Sequence, residues 1–294
     1  MLLEKNPTEM GRFIEELLPS LLNALSDRAD DVVLMNLEVL ARIMLNEKEF
    51  HRVLQEVLQL FSDKRRLLET RGGLIIRRLC TLQQPKSIYV ALASVLQSNN
   101  DLEFIGVMVE ASAKNDRCAW ALNLILLTAS ELEELRQALK LSFRSDALAE
   151  NRELFADLFA CWCHNPVATF SLCLLAQAYD VSAELVREVA EVEITVGFLM
   201  QIDKLVQLLE SPIFLHLRLQ LLDVDSPSYP ALVKSLYGIL MLLPQSTAFK
   251  TLRDRMSTAC SLHQNLFVLP SSTPIAGSST GGSSGIAASS TGGI

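Results

Sequence analysis

The sequence predicts an all-α protein, a helical-repeat solenoid with a disordered C-terminal tail, and three observations predict it. The 294 residues are half hydrophobic, yet Gly and Pro number only 12 and 10, so the chain carries few strand or turn signals. Apolar residues recur at helical spacing from Phe13 onward. Corners at Asp27, Asp63 and Asn100 lie 36 and 37 residues apart, and a near-constant period of helical hairpins marks an array whose units bury their apolar faces against one another.

In the first unit, Phe13 to Leu25 is amphipathic, with Pro19 either bending the helix or starting its second segment. Asp27 ends it, and Asp30 or Asp31 caps a helix from Val32 to Leu45 whose stripe is Val33, Leu37, Leu40 and Met44. Proline, an aspartate corner and a Val-Val start form a HEAT-like pattern, although the arginine usual early in the second helix is absent. The second unit runs through Phe50, Val53, Leu54, Val57 and Leu58, turns at Ser62-Asp63, and returns from Leu67 to Leu82 with Gly72-Gly73 weakening the helix. The third starts at Pro85, turns at Asn99-Asn100 and returns from Leu102 to Ala113.

Beyond Asn115 the period blurs into irregular helical repeats: Cys118 to Thr128, Glu131 to Leu141, Leu148 to Cys163, Pro166 to Tyr179, Val196 to Leu209 and Pro212 to Leu222. Ser130 with Glu133 reads as a capping box. From Ser271 the chain turns to Ser, Gly, Thr and Ala without charge and cannot bury enough apolar surface to fold. The expected regions are therefore HEAT-like repeats over 1–115, irregular helical repeats over 116–270 and a disordered tail over 271–294.

Composition narrows the function. A net charge of −8 opposes nucleic-acid binding, which needs a basic surface. The best basic cluster, Lys64, Arg65, Arg66, Arg71, Arg77 and Arg78, could meet a phosphoinositide headgroup only if it converged; Glu69 and helical spacing favour a solvated face. Mean hydropathy is high at +0.27, but no run approaches the ~18 to 20 apolar residues of a membrane span, and the N-terminus does not resemble a secretory signal. The expectation is a cytoplasmic protein. Its six cysteines sit mostly in apolar helical runs, as reduced buried thiols do.

One stretch admits three readings, Cys161 to Tyr179. Cys161, Cys163 and His164 suggest metal ligands, but the residues before them have helical spacing, which points positions two apart ~200° from each other. A second ligand pair is missing nearby, so no metal is expected. Asn165 and Pro166 instead start a buried helix, as cap and first helical residue. Catalysis finds no support either: His51, His164, His216 and His263 stand singly, and no nucleophile elbow, phosphate loop or metalloprotease helix is present. The expectation is no enzyme and no cofactor.

The helix from Tyr229 to Leu243 has two apolar arcs. Tyr229, Leu232, Val233, Leu236, Tyr237, Ile239, Leu240 and Leu243 span about 160° and are the expected core face. Ala231, Lys234, Ser235, Gly238, Met241 and Leu242 form the other, which is too apolar for solvent and small at its centre. Either a neighbouring helix or another protein chain packs there.

Four strings go beyond a generic repeat: SDKRRLLETRGGLIIRRLC (Ser62 to Cys80), WCHNPVATFSLCLLAQAY (Trp162 to Tyr179), DKLVQLLESPIFLHLRLQLLD (Asp203 to Asp223) and YPALVKSLYGILMLLPQSTAF (Tyr229 to Phe249). From Phe13 to Arg255 the chain resembles the carboxy-terminal region of the vacuole-morphology scaffold family of the phosphatidylinositol 3-phosphate 5-kinase complex. The resemblance implies a non-catalytic HEAT-repeat scaffold that self-associates and holds the lipid kinase together with a Sac-family phosphoinositide 5-phosphatase. It would control phosphatidylinositol 3,5-bisphosphate as a peripheral protein on the cytosolic face of endosomal or vacuolar membranes. It implies phosphatase binding and self-association within 116–270, and a long repeat array preceding this region in family members. The expected partner-binding residues are Trp162, His164, Asn165, Pro166, Lys234, Gly238, Met241 and Leu242. The competing reading is an unrelated helical-repeat adaptor for a peptide or cargo protein, working through a concave groove.

Overall fold

Residues 7–99, 101–109, 122–144, 146–191 and 194–267 are described by a computed structural model, and no strand occurs among them. The Asn100 corner, Cys118, the 115/116 boundary and the tail lie outside these residues. Helix α1 (Pro7–Ala24) carries Pro19 without a break, and α2 (Asp30–Ile43) returns against it. Asp30 and Asp31 do not cap α2: they occupy its first turn, next to the positive helix end, while Asp27 Oδ1 accepts the Ala29 N–H at 2.9 Å and shapes the corner. Asn46 caps α3 (Glu47–Asp63). Then α4 (Arg65–Leu67), a π turn (Leu68–Gly72) and α5 (Gly73–Leu82) follow without interruption, so the glycine pair marks a π bulge instead of an end. Pro85 opens α6 (Pro85–Gln97), and Asp101 Oδ1 accepts the Phe104 N–H at the start of α7 (Leu102–Val109).

These hairpins stack in two layers. Helices α1, α3 and α6 touch in succession, as do α2 and α5, and arginines stitch one unit to the next. Arg71 pairs with Asp30, Arg78 with Glu38 and Arg65 with Asp101. Of the basic cluster, Arg65, Arg71, Arg77 and Arg78 are thus spent on acids of neighbouring elements, and Lys64 donates to Asn23 Oδ1.

The second half begins with α8 (Leu122–Thr128), a 3-10 turn (Ser130–Leu132) and α9 (Glu133–Lys140). The expected capping box is not formed: Ser130 Oγ bonds to Glu131, and Glu133 turns to Arg136. Arg136, almost wholly buried, donates to the Leu126 and Ala129 carbonyls and so closes the C-terminal end of α8. Glu131 instead receives Arg77 of α5 at 2.7 Å, which joins the two halves.

Then come α10 (Ala149–Trp162), α11 (Pro166–Ala176), α12 (Tyr179–Ala190) and α13 (Val196–Leu209). A 3-10 turn (Pro212–Phe214), α14 (Leu215–Gln220), α15 (Tyr229–Leu242) and α16 (Thr247–Phe267) complete the fold. The sequence reading assigns no element to 181–194, yet α12 lies there and forms the most extensive helix–helix contact, with α15. Ser235 Oγ donates to the Tyr179 carbonyl at 3.0 Å, and Gly238 lies on Val186. One contiguous core runs from Ile14 to Ala259.

A methyl group on Gly238 would sit 3.0 Å from Val186 Cβ and Cγ2 and closer still to Cγ1. Gly238→Ala should therefore destabilise the protein by about 1–3 kcal/mol despite the better helix propensity of alanine, because Val186 is stiff and cannot swing aside. Gly238→Arg should abolish the cooperative melt. A thermal midpoint that does not fall in the alanine variant would contradict this packing.

Glu131 and His216 contribute to the pH dependence of the stability. The hydrogen bond from Arg77 lowers the Glu131 pKa from 4.5 to about 2, so its contribution is complete above pH 4.5 and is lost as pH falls toward 2. His216 is held below its usual 6.5 by burial, so the unfolded chain takes up a proton that the native state resists, and stability declines already below that pH. Urea midpoints should fall from pH 6.5 downward; His216→Gln should flatten the upper part of the decline and Glu131→Gln the part below pH 4.5.

Candidate partner-binding surface

The corner at Cys161 is built as the sequence requires. Asn165 Oδ1 accepts the Ala168 N–H at 2.8 Å, its amide donates to Gln201 Oε1 at 3.1 Å, and Pro166 takes the first helical position of α11. Thr169 Oγ1 binds the Trp162 and Asn165 carbonyls, locking the end of α10 to the start of α11. Every residue from Val167 to Ala176 is buried, under α9, α10, α12 and α13. The helix ends at Ala176, three residues short of the expected Tyr179, with Gln177 as its left-handed cap at φ 66°.

Trp162 is fully enclosed, its indole N–H donating to Asn123 Oδ1 at 3.2 Å, which also accepts from Ser171 at 2.7 Å. Asn165 is buried as well. These two expected partner contacts are therefore internal: Trp162 is an anchor and Asn165 a cap, and of the expected contacts at that corner only His164 and Pro166 face solvent.

On α15 the expected arcs are corrected. Gly238 is occupied by α12 of the same chain, Ser235 is buried in that contact and Leu242 is buried too, whereas Tyr237 of the expected core face is exposed. Small residues let two helices approach closely here, so the small centre of that arc is an internal crossing. Lys234, paired with Glu184 at 3.4 Å, and Met241, 84% exposed, are the members of the set that remain accessible.

The ionisable groups serve the framework. Burial raises the thiol pKa of Cys80, Cys161 and Cys173 to about 12, which keeps them protonated and unreactive, and desolvation raises the exposed Cys163 as well. Among the described residues no three His, Cys, Asp or Glu lie together as a metal ion would need, and no helix is long and apolar enough to cross a membrane.

The sequence reading passes over one surface. Helix α14 and the turn after it bury Leu217 and Leu221 and leave Leu215 and Leu219 of the helix and Leu222 of the turn 47%, 58% and 55% exposed. The spacing i, i+4 puts Leu215 and Leu219 on one side, a signal visible in the string LHLRLQLL but masked there by leucines on both faces.

A family model described as vacuolar protein 14 C-terminal Fig4p binding matches residues 65–259. The chain is 45% identical over 258 residues to the protein VAC14 homolog of Arabidopsis thaliana, covering 87% of this chain and 33% of that one. It is 43% identical over 253 residues to the Schizosaccharomyces pombe protein of the same name, covering 85% and 29%. To the vacuole morphology and inheritance protein 14 of Saccharomyces cerevisiae it is 32% identical over 260 residues, covering 88% and 27%. The chain thus spans about a third of the length of the curated relatives it matches. No solved structure matches it. An all-helical stack whose residues 65–259 match that description belongs to the vacuolar protein 14 family, in its C-terminal Fig4p-binding region.

Proposed function

We propose that the chain is a non-catalytic scaffold that holds a Sac-family phosphoinositide 5-phosphatase and, through self-association, assembles it with a phosphatidylinositol 3-phosphate 5-kinase. The observation that carries this reading is the match of residues 65–259 to a Fig4p-binding family model. In it, residues 116–270 form the phosphatase-binding and self-association region, and His164, Pro166, Lys234 and Met241 are open to partners. The physical character of the molecule supports it: one contiguous core joins the helices, and arginine–carboxylate pairs tie helices together. Such a platform fixes the separation of two bound enzymes, and a kinase and a phosphatase held together set phosphatidylinositol 3,5-bisphosphate by the balance of their activities. The complex works on the cytosolic face of vacuolar or endosomal membranes, and the scaffold reaches them as a peripheral member.

Affinity purification of the tagged protein from its own cells should recover a Sac-family phosphatase in stoichiometric amount, and the kinase with it. Recovery of neither would overturn the reading. Light scattering at micromolar concentration should give a mass well above the 32.6 kDa of one chain, and a mass near 32.6 kDa that does not change on dilution would exclude self-association through this region.

A further inference from the structure

We draw no further inference here: the strongest candidate, the apolar cleft between α8, α11 and α13 that Lys204 borders, adjoins residues 110–121, which lie outside the described ones, and nothing in the structure shows what covers it.

Discussion

Helix α11 buries ten of its eleven residues, and a helix with no solvent face is stable only when other helices cover its whole circumference. That condition sets the layout of the second half: α9, α10, α12 and α13 are the cover. It also makes the ends of α11 critical, because backbone amides that cannot reach water must find another partner. Asn165 meets this at one end, with Pro166 removing a donor that has no acceptor, and the left-handed turn at Gln177 returns the Ala178 N–H to the Cys173 carbonyl at 2.9 Å at the other. The buried hydroxyls of α11, Thr169 and Ser171, are spent on neighbouring carbonyls or on Asn123, so this helix places them in the core without leaving them unpaired.

What could be read in advance follows from how local each signal is. The Asn165-Pro166 start, the Pro85 start and the bounds of α13 depend on two or three adjacent residues and a helical period, and the structure agrees with all of them. The Ser130 capping box is not formed because both its members find other partners: Ser130 Oγ bonds Glu131, which Arg77 holds from α5, and Glu133 pairs with Arg136 one turn on. The Arg77 contact, 54 residues away in sequence, is one that no spacing within a segment predicts. Helix α12 escaped notice for a related reason. Its exposed Asp180, Glu184, Arg187 and Glu188 dilute the apolar period, while its buried face uses Ser182 and Ala183, which carry little hydrophobic signal.

The missing α12 then propagated into the site. Without it, the small arc of α15 had no partner inside the chain, and Gly238 looked like an opening for another protein. With α12 in place, Gly238 and Ser235 become one side of an internal crossing, and only Lys234 and Met241 are left outside. Trp162 shows the same limit. Its size marks it as an anchor, but whether an anchor belongs to a core or an interface depends on Tyr89 and Asn123, which lie 73 and 39 residues away in sequence.

The two halves of the molecule handle their surfaces differently, and the difference bears on recognition. In the first half Arg65, Arg71, Arg77 and Arg78 reach acids of neighbouring elements, so these charges are neutralised within the stack. In the second half hydrogen bonds are gathered on the inner side of α14, and what is presented outward is apolar. Exposed ion pairs contribute modestly and weaken with salt, whereas apolar contact is hardly affected by it. The spacing of the helices in the stack and any apolar contact made at its surface therefore rest on separate interactions.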